Sequence, residues 1–419
     1  MRELKGDWRD LFNGFMLGLD LRKMFLGFVG ILLTFATVGL FSYFYANLIV
    51  PGSVPAPDSM FARETADAAR HDLRGMLSDV AHLHLPRLAG RGHGAAGAPN
   101  DVPHTVGRSL RVIFCCCDPR YAGVSPFKRL FGGGIVVLMF LLIWSYFGGA
   151  IARIAAVEVA RDERIETQKA LHFAHDKYWS FFWAPLVCVV GLAFFALCNV
   201  LGGGIGKILH YVGVGEILVA VLLPLAILSG FIMTLILIGT FFGLPLFAPA
   251  IATEGTDSFD AISRGFSYVY SRPWHYLFYQ FVAKVYGAVC VWFVLTFGCI
   301  MIKLSLATGA MCFKEFRGVL SVLHGDQARE ILTGPQTLAL YITGAWLLVT
   351  WGILAGYAVS FFYSVQTIIY YLLRKKVDGI EMNEVYEEQE PEEAAEAAPA
   401  DAPKTEPPGS GKPEDKPGA

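Results

Sequence analysis

The chain has 419 residues, of which 54% are hydrophobic and only 17% charged, with a mean hydropathy of +0.48 and a net charge of −2. Soluble domains carry about 25% charged residues, so lipid rather than water is the expected solvent for much of this chain. A near-neutral balance without a basic stripe of interleaved aromatics excludes a nucleic-acid-binding surface.

In chain order, residues 1–23 place Trp8, Leu11, Phe12 and Phe15 at helical spacing, the pattern of an interfacial segment lying on a bilayer. The apolar run over 24–50 reads as a retained first span, since a cleavable signal peptide has an apolar core of only about 7–15 residues. Residues 51–129 form a long polar excursion, expected to be an extracytoplasmic loop, with a Gly/Ala/His-rich stretch, GRGHGAAGAPNDVPH. His71, His82, His84, His93 and His104 fall in this loop, as do the consecutive Cys115, Cys116 and Cys117. Gly-rich surroundings do not preorganise ligands, and three adjacent thiols are poorly placed for one ion. Solvated histidines and no cofactor are therefore expected, with metal binding by these groups left open. Cys188, Cys198, Cys290 and Cys299 sit in apolar runs, where a thiol acts as a small core residue.

Further spans are predicted over 130–157, 179–201, 216–242, 274–302 and 338–373. Each exceeds the roughly 20 residues that a 30 Å hydrocarbon layer requires. Pro224, Pro245 and Pro249 interrupt the fourth apolar run, predicting a kink near Pro224 and a helix end near Gly243-Leu244-Pro245. The pairs Gly239/Gly243 and Gly352/Gly356 read as helix-packing surfaces. Residues 130–374 thus form a polytopic helical domain, and the acidic, Pro/Ala-rich residues 375–419 a disordered cytoplasmic tail. Arg374, Lys375 and Lys376 abut the last span. With six spans, the positive-inside rule puts both termini in the cytoplasm of a bacterial inner membrane.

Between the fourth and fifth runs lies EGTDSFDAISRGFSYVYSRPW, from Glu254 to Trp274. Thr256 can cap a short helix, with Asp257 and Asp260 in its first turn, where the helix dipole favours anions. Phe259, Ile262, Phe266 and Val269 make one apolar stripe, and Asp260 and Arg264 are spaced to pair. Pro273 suits the first turn of the next helix. Trp274 and Tyr276 are rings that settle at headgroup level. The motif Glu254, Asp257, Asp260, Arg264, Arg272 and Trp274 is therefore read as a cytoplasmic interfacial connector. A fainter copy, EVARDERIETQKALHFAHDKYWSFF, precedes the third span. In it Glu163 aligns with Glu254, and Lys169-Ala170-Leu171 with Asp260-Ala261-Ile262. The fold class that results is an all-α integral membrane protein of about six spans, with two interfacial amphipathic helices in tandem span–interfacial helix–span units.

The stretches GGAIARIAAVEVARDERIETQKAL and PAIATEGTDSFDAISRGFSYVYSRPW resemble a group of uncharacterised polytopic membrane proteins common in planctomycete bacteria. More distantly, the pattern resembles six-helix families of the YciC type and the membrane domain of some glycerophosphodiester phosphodiesterases. The resemblance covers 131–374 and implies a helical membrane module without catalytic residues.

LGGGIGKIL around Gly202 lacks the first glycine and the Ser/Thr of a phosphate loop. No nucleophile elbow, zinc-protease or dinucleotide motif occurs. Arg153 and Glu158 need no special role, Glu158 being placed to pair with Arg161. Lys284 lies about 15 Å along its helix from Trp274, near mid-bilayer, where a charge should face the bundle interior or water. Its candidate partners are Glu216, Asn199 or backbone carbonyls. The expected function is a non-enzymatic scaffold or accessory subunit of the bacterial envelope. It would contact the lipid bilayer, and protein partners through its interfacial helices and tail. The alternative is a transporter or permease using Lys284 and the Pro-interrupted fourth helix.

Overall fold

A computed structural model describes residues 5–44, 126–211, 213–309, 311 and 334–387. The histidines and cysteines of the long loop and the tail beyond residue 387 lie outside the described residues. A compact unit ends at Val385. Its described residues are helical, without a strand. A 3-10 turn, Trp8–Asn13, leads into α1 (Gly14–Gly18) and α2 (Leu21–Phe44). After the long loop come α3 (Pro126–Arg161), α4 (Thr167–Asp176), α5 (Tyr178–His210), α6 (Gly215–Glu254), α7 (Ser258–Ser271), α8 (Pro273–Gly309) and α9 (Gly334–Val377). Six of these, α2, α3, α5, α6, α8 and α9, are long and apolar enough to cross a membrane.

The predicted spans appear in order, but the fourth does not stop at Gly243-Leu244-Pro245. Instead α6 carries Pro224, Pro245 and Pro249 inside one continuous helix to Glu254. Pro245 cannot donate to the Phe241 carbonyl, and the Tyr276 hydroxyl donates to the neighbouring carbonyl of Phe242 at 2.5 Å. The helix ends where Gly255 turns left-handed (φ 64°) and its N–H closes on the Ile251 carbonyl at 2.8 Å.

α9 is the central element, packing on α2, α3, α6, α7, α8 and the N-terminal segment. Its inner half, through Tyr357, Ile368, Ile369, Tyr370, Tyr371 and Leu372, is buried. The first and last spans meet at glycines. A Cβ on Gly356 would collide with the Met24 carbonyl, and one on Gly352 with the Phe28 ring. Small residues let two backbones approach in this way. Gly239 and Gly243 do the same for the Phe266 ring of α7.

The N-terminal segment docks along the bundle. Gly6 lies beside Lys375, Gly14 beside Val365 and Phe361, and Gly18 beside Tyr357 and the Phe361 backbone. Leu11 and Leu17 are buried, while Trp8 and Phe12 meet Phe278 and Tyr286 edge-on. At the other terminus the chain does not leave the fold at residue 375. α9 runs to Val377, Met382 enters the core, and Val385 packs against it.

α3–α4–α5 and α6–α7–α8 repeat one plan: span, backward turn, short amphipathic helix, span. The first span of each ends in a left-handed residue, Asp162 (φ 58°) or Gly255 (φ 64°). Each short helix then folds back along the preceding span. Tyr178, at the start of α5 just past α4, donates to the Leu142 carbonyl at 3.1 Å, and Tyr270 of α7 to that of Leu235 at 2.6 Å. Ala170 and Ala261 are the fourth residues of their helices and both are fully buried, so Lys169-Ala170-Leu171 does align with Asp260-Ala261-Ile262. Glu163 does not correspond to Glu254. It lies in the longer first connector, exposed, whereas Arg161 ends α3 as Glu254 ends α6.

Candidate functional site

Polar side chains converge where α6, α7 and α9 meet. Glu254 ends α6 with its side chain 8% exposed. One of its oxygens accepts the Tyr370 hydroxyl at 2.6 Å and lies 3.4 Å from Arg374 Nε. The other pairs with Arg264 at 2.7 Å. Arg264 also holds Asp260 one turn back on α7, Nε to carboxylate at 3.0 Å, as its spacing predicts. Tyr268 donates to Asp378 at 2.5 Å, and Arg374 donates to the Glu384 carbonyl at 2.8 Å. Residues just beyond α9 are thereby strapped to α7 and to α9 itself.

Of the six predicted motif residues, three are brought together: Glu254, Asp260 and Arg264. Asp257, not Thr256, caps α7, its carboxylate accepting the Asp260 N–H at 3.0 Å. Gly255 sets the turn, so the extended residue before the first helical turn is Asp257. Arg272 and Trp274 are exposed and stand apart from the network. The buried face of α7 is Ser258, Ala261, Gly265, Tyr268 and Val269, rotated from the predicted stripe, and Phe259 points outward. Small residues let α7 lie close against α6, and Phe259 and Trp274 are left exposed. Tyr276 is buried by its bond to Phe242 rather than placed at a surface.

A second polar cluster ties α2 to α3 and α9. Lys23 is fully buried, with Nζ 2.7 Å from Glu158 and 3.3 Å from Ser364 Oγ. Glu158 thus has a partner on another helix, Lys23 of α2. Arg153 is also buried. It donates to the Ala252 carbonyl at 2.9 Å and lies over the Phe173 ring at 4.4 Å, joining α3 to α6 and α4. Gln280 and Gln366 exchange both amide bonds, 2.7 and 3.1 Å, between α8 and α9. Sequence reasoning assigned Lys23 and Arg374 only to topology and gave Arg153 no role. Their partners lie far away along the chain.

The other predicted pair is not formed. Lys284 is exposed on the outward face of α8, off the buried line Gln280, Ala283, Gly287 and Cys290. Glu216 pairs with His210 at 2.5 Å, at the far end of the α5–α6 hairpin.

Outside the spans, electrostatics reinforce the same network. Burial works against the Arg264 charge, but the Asp260 bond and the Glu254 charge more than offset it and raise its pKa. Burial, then the bond to Asp378, pushes the Tyr268 hydroxyl above its usual range, so it stays a donor. Burial disfavours the Asp20 carboxylate. Hydrogen bonds and charge from Arg22 outweigh this and hold the acid below the usual value. These groups join helices and cap turns. No three His, Cys, Asp or Glu side chains among the described residues group to hold a metal ion.

A six-span helical bundle of this kind is a multi-pass integral membrane protein. No family model, no curated protein and no solved structure matches this chain.

Proposed function

We propose that the protein is a non-enzymatic scaffold or accessory subunit of the bacterial envelope, set in the inner membrane with both termini cytoplasmic. The observation that carries this reading is where the buried charge goes. Lys23, Arg153, Glu254 and Arg374 each engage a group on another helix, so their charge fixes helix positions. Removing one partner of such a pair costs about 3–5 kcal/mol, a cost suited to a rigid frame. The end bearing this network also carries both described termini, together with Arg9, Arg22, Arg164, Arg264 and Arg272, and the positive-inside rule favours it as the cytoplasmic end. The alternative, a transporter using Lys284 and the Pro-interrupted fourth helix, draws less support, because Lys284 is exposed on the outward face of α8 and Glu216 pairs with His210 instead.

Photo-crosslinking in native membranes, followed by purification in mild detergent, tests the proposal. Probes at exposed Val221 and Leu225 of α6 are expected to capture one recurrent protein partner at a fixed ratio. Recovery of this chain alone from every probe position would overturn it. In a reconstituted system, Lys284→Ala is expected to leave any solute flux unchanged.

A further inference from the structure

Beside the buried Lys23–Glu158 pair opens a cleft of about 500 Å³, within the range of small-ligand sites. Its polar wall is Asp20, Arg22, Glu158 and Arg164, and its lip is Met16, Leu19 and Leu21. Three of the four charged groups are already matched. Arg22 pairs with Asp20 at 2.8 Å and donates to the Ile165 carbonyl at 2.5 Å, while Glu158 is held by Lys23 at 2.7 Å. Arg164 is exposed, with no hydrogen bond or ion pair among the described residues. Glu163 and Glu166 of the same connector do not line the cleft. The wall therefore carries one unmatched guanidinium.

The lip is apolar yet open: Met16 is 62% and Leu21 65% exposed, and Phe25 continues the outward face one turn along α2. A guanidinium fork grips phosphate oxygens in bidentate fashion. Next to it, an exposed apolar track suits a hydrocarbon chain. We infer that this cleft binds the phosphodiester headgroup of an anionic phospholipid, with phosphate on Arg164 and an acyl chain over Leu21 and Phe25. The site is independent of the scaffold reading.

The full chain, purified and stripped of lipid in detergent, would be titrated with phosphatidylglycerol and read by native mass spectrometry. Arg164→Gln is expected to weaken binding about tenfold, the loss of one charged hydrogen-bonding group. Arg164→Lys, which keeps the charge but not the fork, should bind between Arg164→Gln and the unchanged chain, and Lys284→Gln should retain all of the affinity. Leu21→Ser should weaken the lipid while leaving the melting temperature of the chain unchanged. Unchanged binding in Arg164→Gln, or an equal loss in Lys284→Gln, overturns the proposal. Soluble glycerophosphoglycerol binding as tightly as the lipid would also overturn it, by assigning the cleft to a free phosphodiester.

Discussion

The two short helices α4 and α7 hold equivalent places, and different chemistry secures them. α4 rests on Ala170, Phe173 and Ala174, with Arg153 reaching across from α3 to cover the Phe173 ring. α7 has the same small-residue contact at Ala261 and Gly265, and adds the carboxylate–guanidinium network of Glu254, Asp260, Arg264 and Arg374. Close packing sets the position of the helix in both units. The second unit is further locked to α9 through that network, and in the first unit the Lys23–Glu158 pair sits on the span.

Substitutions can separate these contributions, each read as a melting temperature in detergent. The largest effect is expected from Glu158→Ala, which strands the fully buried Lys23 at a cost of about 3–5 kcal/mol. Glu254→Ala should follow at about 3 kcal/mol, because Arg264 and Arg374 lose their shared partner. If Glu254→Ala proved neutral, the locking role of the second network would fall. Arg153→Met should cost about 1–2 kcal/mol through the lost carbonyl bond and ring contact. Asp260→Asn, which touches only a partly exposed pair one turn apart, should cost about 0.5 kcal/mol.

Alkaline titration sharpens the same contrast. The Tyr268 pKa is raised in the folded state, so its contribution is complete below the ordinary tyrosine value of 10.0 and fades as pH climbs toward the folded value. Tyr268→Phe should flatten part of the high-pH limb of stability. Equal limbs in the two proteins would show that the Asp378 bond contributes nothing to that dependence.

The spans were legible in the sequence because long apolar runs have few other solutions, and Pro273 and the Asp260–Arg264 spacing were legible because their causes are local. Position along a helix says how far Lys284 lies from Trp274 but not which face it occupies. The buried line through Gln280, Ala283 and Gly287 was present in the sequence and would have set Lys284 aside. The prolines of α6 misled because a helix in a membrane bundle can carry proline without ending there. Lys23, Glu158 and Arg374 could not be paired from spacing, since a charge at the end of a span has the same local signature whether it faces headgroups or another helix.

The contact of Gly352 and Gly356 in the last span with Phe28 and Met24 in the first bears on biosynthesis. Lys23 and its hydrogen-bonding neighbour Ser364 are 341 positions apart, so the first span enters the bilayer long before the surface it fits has been translated. A nascent chain halted before α9 must leave the Lys23 ammonium without Ser364 and the glycine face of α2 against lipid or a chaperone. Closure of the bundle therefore waits for the last span.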